Sequence, residues 1–221
     1  MFMRMSVASV LALAAGLTQA ATLAQPVTVT LSAPGGLWDG TQVTEPGPIT
    51  VSDVVSPEGS ILPNDASTIG DEFLLPNEFI SLVGTEIHLR LGQSATDGST
   101  GYLGAAGVPA TFTFSGLAVA GQTIVGLSLG FHDGFGASGT IGIDNLPALT
   151  ASNWIRLTNA STVAVNLDTL RFLNRESSDG VNFADIRIVL QTTPVPEPET
   201  WALVLGGVLA AGLMRRRTPK A

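Results

Sequence analysis

Apolar and polar residues alternate along most of the middle of the chain. The alternation has a period of two in four segments, Val27–Leu31, Glu86–Leu91, Thr111–Phe114 and Asp185–Leu190. A period of two is typical of a half-buried β-strand, because successive strand side chains point to opposite faces. The segment Gln122–Phe131 is more continuously apolar. This pattern predicts a strand at the centre of a sheet.

Turn-forming residues separate these segments. Glycine and Asx clusters occur at Ala33–Gly36, Thr96–Ser99 and Ser177–Gly180, where such residues adopt the backbone angles of tight turns. Many short strands with few helix starts predict an all-β domain, an antiparallel β-sandwich of jelly-roll type, over residues 22–192. The stretch Glu45–Asn77 is rich in proline, glycine and acidic residues, and we interpret it as a long excursion outside the core.

The first twenty residues have the pattern of a secretory signal peptide. Arg4 gives a positive start, Val7–Leu17 is an apolar run, and Thr18-Gln19-Ala20 is a small-x-small cleavage motif. We expect cleavage after Ala20. Two further alanines follow as alternative cleavage sites, Ala21 and Ala24. A signal peptide at residues 1–20 predicts export of the body through the Sec machinery.

Residues 193–221 combine three features of a membrane tail. Val195–Glu199 contains two prolines, which favour extended backbone. Trp201–Met214 is uncharged and would form about 21 Å of helix, against a hydrocarbon core of about 30 Å. Ala202–Met214 has no polar face, so we predict a short single transmembrane helix. Three arginines follow and are expected to stay in the cytoplasm, namely Arg215, Arg216 and Arg217.

The tail also resembles a known sorting signal. Pro196-Glu197-Pro198, Trp201 and the arginine cluster are similar to the PEP-CTERM signal of Gram-negative bacteria that make exopolysaccharide. The resemblance covers about Pro194–Ala221. It implies that a membrane-embedded exosortase reads the tripeptide, cleaves near it and releases or re-attaches the body. Glu199 stands where the family often has a small hydroxyl residue. The predicted sorting and processing residues are Ala20, Pro196, Glu197, Pro198, Arg215, Arg216 and Arg217.

Charge and cysteine content exclude several functions. The body, residues 22–192, contains sixteen acidic residues, from Asp39 to Asp185, and five arginines, from Arg90 to Arg187, so it has a net charge of −11. Phosphate binding needs basic stripes that the body lacks, and nucleic acid is therefore not an expected partner. The chain contains no cysteine, which excludes disulfides and thiol chemistry. A body of this length is large enough to form a core without covalent links.

Few residues suggest catalysis. The two histidines are His88 and His132. His132 precedes Asp133, but sequence neighbours on an extended segment point to opposite faces, so the pair does not predict a dyad. Gly134–Gly139 spells G-x-G-x-x-G, yet Thr140–Asp144 continues as a strand where a dinucleotide site needs a helix. We interpret it as a glycine hairpin and predict neither catalytic residues nor a cofactor.

Four aspartates at loop edges are weak candidates for Ca²⁺ ligands. They are Asp97, Asp133, Asp144 and Asp179. Jelly-roll modules often bind Ca²⁺ with such carboxylates and loop carbonyls. Aspartate beside glycine also forms turns without any metal. No spaced ligand motif separates these alternatives.

These observations predict an exported protein without catalysis of its own. The precursor is expected in the inner membrane with a periplasmic body, and the mature protein at the cell surface or in an exopolysaccharide matrix. The alternative is a glycan-binding, lectin-like module that could use Ca²⁺, and the third hypothesis is a glycoside hydrolase. Sugar binding would need exposed rings. The candidate aromatic residues are Trp38, Tyr102, Phe135 and Trp154.

Overall fold

The computed structural model describes residues 21–132, 142–145, 148, 153–173 and 182–195. Within them lie thirteen β-strands, numbered along the chain, and one π-helical turn at Ile69–Phe73. The first sheet has the order β11 (Ile155–Asn159), β12 (Thr162–Asn166), β9 (Thr111–Ser115), β1 (Val27–Ala33) and β4 (Ile49–Val55). The second has the order β10 (Gln122–His132), β13 (Phe183–Pro194), β7 (Glu86–Gly92), β6 (Phe79–Val83) and β5 (Ser60–Ile61). A small third sheet has the order β3 (Val43–Pro46), β2 (Gly36–Trp38) and β8 (Tyr102–Leu103).

The predicted all-β class is confirmed. Every pairing between these strands is antiparallel. The four segments with a period of two all form strands, namely β1, β7, β9 and β13. In β1, buried and half-buried residues alternate over the whole strand, as the sequence pattern predicts.

The hydrophobic core draws on both large sheets. Phe112 and Phe114 of β9 are fully buried, and so are Leu89 of β7 and Ile186 of β13. These residues belong to one contiguous cluster. Burial of each such side chain contributes about 1.5–3 kcal/mol to folding. The strand alternation therefore gives the two sheets a common core.

The prediction for Gln122–Phe131 was wrong in position. This segment forms most of β10, which among the described strands lies at the edge of the second sheet and not at its centre. Ile124 is buried, but Val125 is 56% exposed and Leu129 is 38% exposed. Its continuous apolar character thus does not reflect burial on both faces.

The interpretation of Glu45–Asn77 as an excursion outside the core was also wrong. This stretch contains β4, which pairs with β1 along all seven of its residues, from Ile49 opposite Ala33 to Val55 opposite Val27. Five residues of the stretch enter the core, namely Ile49, Val55, Ile61, Ile69 and Leu74. Most of the prolines and glycines of the stretch lie in the turns between its short elements, so composition over a long window hid the strand.

Both predicted terminal segments fall outside the described residues. The signal peptide spans residues 1–20, and the tail is described only as far as Val195. In the described part of the chain, no helix is both long and apolar enough to cross a membrane. The last strand, β13, runs through Pro194, directly before the proline-rich motif.

Candidate functional site

Two of the candidate Ca²⁺ ligands lie in neighbouring loops. The backbone N–H of Phe172 donates to the carbonyl of Gly98 (2.7 Å), which follows Asp97. The backbone N–H of Asp144 donates to the carbonyl of Arg171 (2.8 Å). The loops of Asp97 and Asp144 therefore flank the same short segment, although 47 residues separate them in sequence.

Asp97 makes a hydrogen bond typical of a turn and lies near a positive charge, that of Arg171. Asp97 Oδ1 accepts a hydrogen bond from the Ser99 backbone N–H (3.0 Å). Partial burial raises the pKa of Asp97, but hydrogen bonds from Ser99 and the nearby Arg171 outweigh it and hold the pKa below its usual value. The described residues contain no group of three His, Cys, Asp or Glu side chains that could hold a metal ion. Asp133 and Asp179 lie outside the described residues.

The aromatic candidates for a sugar platform are mostly buried. Tyr102 and Trp154 are each only 3% exposed. Trp154 stacks on Phe131 with a centroid distance of 6.2 Å. Trp38 is half-buried, and Phe135 lies outside the described residues. Tyr102 and Trp154 thus stabilise the fold and do not offer a ring face to a ligand.

The two histidines lie on different strands of the second sheet. His88 lies in β7 opposite Ser81 and packs edge-on against Phe79, with a centroid distance of 5.1 Å. Burial lowers the pKa of His88. His132 ends β10 opposite Asp185. The His88 Nε2 atom is buried and has no hydrogen-bond partner among the described residues.

One buried acid was not predicted from the sequence. Glu78 is 1% exposed and lies just before β6. Its Oε1 accepts a hydrogen bond from the Gly92 backbone N–H (2.7 Å), and its Oε2 accepts one from the Leu75 backbone N–H (3.0 Å). The Tyr102 hydroxyl lies 3.1 Å from Oε2 and 2.8 Å from the Phe73 carbonyl. Glu78 therefore links the π-helical turn to the end of β7.

The burial of Glu78 changes its acidity. Desolvation raises the pKa of Glu78 to about 7, although the three hydrogen bonds act in the opposite direction. Desolvation, with Glu78 nearby, also raises the pKa of Tyr102. A cleft of about 170 Å³ lies beside them and is lined by Asp39, Glu72 and Tyr102 among others. Because the Glu78 carboxyl itself is buried, it stabilises the loop and cannot reach a substrate in the cleft. Nothing in the sequence separates it from Asp71 and Glu72, which are both exposed.

Both termini of the described body meet at one end of the molecule, which we call the terminal end. The Leu23 backbone N–H donates to the Gly84 carbonyl (2.9 Å), and Leu23 forms a β-bridge with Val119. The Val195 backbone N–H donates to the Gly121 carbonyl (2.9 Å). Since Val119 and Gly121 are two residues apart, the first and last described segments leave the body side by side.

Acidic side chains concentrate away from the terminal end. Among the described residues, the turns of the terminal end carry two acids, Glu58 and Glu86, and Glu86 is paired with Arg187 at 3.5 Å. Many more acids lie in the loops at the opposite end, including Asp39, Glu45, Glu72, Asp97, Asp144 and Asp168. The negative charge of the body is therefore far from the place where the chain enters and leaves it.

The predicted sorting residues lie outside the described residues at both ends of the chain. Ala20 precedes them, and Pro196, Glu197, Pro198, Arg215, Arg216 and Arg217 follow them. The sequence matches no known family model, and no curated protein and no solved structure is significantly similar to it.

Proposed function

We propose that this protein is exported, anchored by its C-terminal segment and processed there by an exosortase-type enzyme. On this proposal the Sec machinery transports the chain, the precursor stays in the inner membrane with its body in the periplasm, and the processed body works at the cell surface or in an exopolysaccharide matrix. The body has no catalysis of its own. The sequence of the tail supports the proposal, because it combines an extended Pro-Glu-Pro motif, an apolar run and an arginine cluster.

The position of the two termini is the structural observation that supports this topology best. A body that the chain enters and leaves at one end suits a precursor whose signal peptide and membrane tail lie in one bilayer. The hydrogen bonds of Leu23 and Val195 place both segments at the terminal end. This end carries little charge, and the acidic loops lie away from it. Such a distribution keeps the acidic surface away from anionic lipid headgroups, which would repel it.

For the body we propose an antiparallel β-sandwich of jelly-roll type. Two five-stranded antiparallel sheets contribute to one hydrophobic cluster, as two sheets packed face to face would. Within each sheet, strands distant in sequence are neighbours: β1 pairs with both β4 and β9. Such long connections between antiparallel neighbours are typical of Greek-key and jelly-roll topologies.

Replacing Pro196, Glu197 and Pro198 by alanine is expected to block processing. The motif follows the last strand directly, and its prolines cannot continue a regular hydrogen-bond ladder, so it should be accessible to an enzyme and dispensable for folding. In a host with an exosortase, the membrane-bound precursor should accumulate, which immunoblotting of membrane and released fractions would detect.

Glu199→Ala is the matched control, since it removes a neighbouring acid and leaves the tripeptide intact. This variant should be processed like the natural chain. The melting temperature of the body should be the same in all three proteins, because the described core ends before the motif. Equal processing of the triple variant and the natural chain would refute the proposed role of the motif.

A further inference from the structure

The two large sheets have four edges. At three of them, features of the described residues block pairing with a further strand. The β5 edge is only two residues long. The β4 edge carries Asp53, whose carboxylate accepts hydrogen bonds from the backbone N–H groups of Thr68 (3.2 Å) and Ile69 (2.6 Å). The β11 edge has an exposed Arg156 and an irregularity between Leu157 and Asn159. Short length, charge, bulges and covering loops are the usual ways in which proteins block pairing at sheet edges.

The fourth edge, β10, lacks most of these features. It is eleven residues long and contains no charged residue and no proline. Its ladder with β13 is irregular at Val125, but it is continuous from Gly126 opposite Gln191 to His132 opposite Asp185. Leu129, in the middle of the continuous part, is 38% exposed. Among the described strands, none pairs with the outer side of β10.

We propose that β10 pairs with β10 of a second copy of this chain. Two identical edge strands related by a two-fold axis run antiparallel, which is the pairing that such an axis allows. A strand without charges suits self-pairing, because bodies with a net charge of −11 would otherwise bring like charges together. The continuous part of the strand is centred on Leu129, which places this residue opposite its own copy. The exposed apolar edge of both molecules would then be covered.

This pairing determines how the terminal ends are arranged. Gln122 lies at the terminal end, seven residues from Leu129. At about 3.3 Å per residue, an antiparallel pair centred on Leu129 separates the two terminal ends by about 46 Å along the strands. The five residues 196–200, between the body and the apolar run, extend at most about 18 Å. With the strands perpendicular to the bilayer, both copies of a pair cannot be anchored in the same face of one bilayer, so in that orientation pairing joins released bodies or bodies on two facing membranes. This last step rests on the proposed membrane tail, but the pairing itself does not.

The pairing can be tested with single substitutions in the full chain, purified in a mild detergent. We expect a concentration-dependent dimer by light scattering after size exclusion. Leu129→Lys should weaken it by at least about tenfold in dissociation constant, since an inward-pointing charge blocks edge pairing. Val54→Lys is the matched control, because Val54 is 68% exposed on the protected β4 edge, and it should dimerise normally. A natural chain that stays monomeric up to about 100 µM, or equal effects of the two lysines, would overturn the proposal.

Two further measurements separate pairing from anchoring. The chain has no cysteine, so Leu129→Cys should form a disulfide-linked dimer on mild oxidation while Val54→Cys should not. Vesicles of phosphatidylethanolamine and phosphatidylglycerol that carry the natural chain should cluster, and those that carry Leu129→Lys should not. Crosslinking without clustering would support the pairing and refute its arrangement across two facing membranes. Absence of the Leu129→Cys crosslink together with a monomeric natural chain would refute the pairing and leave the sorting proposal intact.

Discussion

The free energy of unfolding is expected to fall as the pH rises from about 4.5 to about 7, because Glu78 must ionise inside the protein. Its pKa is raised from 4.5 to about 7 by burial. A carboxyl group with a raised pKa binds its proton more tightly in the folded state, so its stabilising effect is complete below pH 4.5 and is lost as the pH passes 7. This difference corresponds to about 3 kcal/mol.

Other groups change this dependence in identifiable ways. The pKa of His88 is lowered by burial, so the unfolded chain binds its proton more tightly and stability rises with pH below 6.5. His88 is only half-buried, which makes this opposing effect the smaller one. The pKa values of Asp65 and Asp97 are lowered by hydrogen bonds that outweigh partial burial, and their contribution is lost as the pH falls below their ordinary value. We therefore expect maximum stability at about pH 5.

Glu78→Gln should remove most of the decrease in the free energy of unfolding between pH 5 and pH 8. Urea unfolding of both proteins at several pH values would measure this decrease. The amide cannot accept hydrogen bonds from both the Gly92 and Leu75 N–H groups, so the variant should be less stable than the natural protein at pH 5. Glu45→Gln changes an exposed acid and should leave the slope unchanged. A natural protein equally stable at pH 5 and pH 8 would show that Glu78 ionises without cost.

The strands were predictable wherever one face of a strand is buried along its whole length. In β1, every second residue is buried between two hydrogen-bonded neighbours, so the alternation is regular and visible. In β10, Ile124, Leu127 and Phe131 pack on the core, while Val125 and Leu129 are exposed apolar residues. The sequence shows that a residue is apolar, but it does not show whether another residue packs over it. An edge strand whose apolar residues are partly exposed therefore has the pattern of a central strand.

The candidate sites also differ in whether their residues are consecutive in sequence or are brought together by the fold. The tail motif is local, because an extended segment is recognised through consecutive residues, and it can be proposed from sequence alone. The environment of Glu78 depends on Gly92 and Tyr102, which are distant in sequence. The proximity of the Asp97 and Asp144 loops likewise depends on the segment at Arg171. Such sites require the pairing of whole strands, which no short motif encodes.

A large loss of stability from a single substitution is expected at Arg90. Its Nε lies 2.5 Å from Asp185 Oδ1 and its second guanidinium nitrogen lies 2.8 Å from Oδ2, across the β7–β13 pair. The guanidinium also lies over the rings of Phe79 (4.9 Å) and Phe183 (4.4 Å). Asp185 is 7% exposed, so removal of Arg90 leaves a buried carboxylate without its counter-charge. Breaking a buried pair in this way costs about 3–5 kcal/mol.

Arg90→Met should therefore lower the free energy of unfolding by about 3–5 kcal/mol, as urea unfolding at neutral pH would measure. The double variant Arg90→Met, Asp185→Leu should be more stable than Arg90→Met alone, because the buried charge is removed along with its partner. Arg187→Met is the matched control on the same two strands, since the Arg187–Glu86 pair is more exposed (44% and 27%) and longer, at 3.5 Å. That control should cost at most about 1 kcal/mol. If Arg90→Met and Arg187→Met were equally destabilising, the Asp185 carboxylate would have to be solvated in the folded protein, and the bidentate pair would not stabilise the junction of β7 with β13.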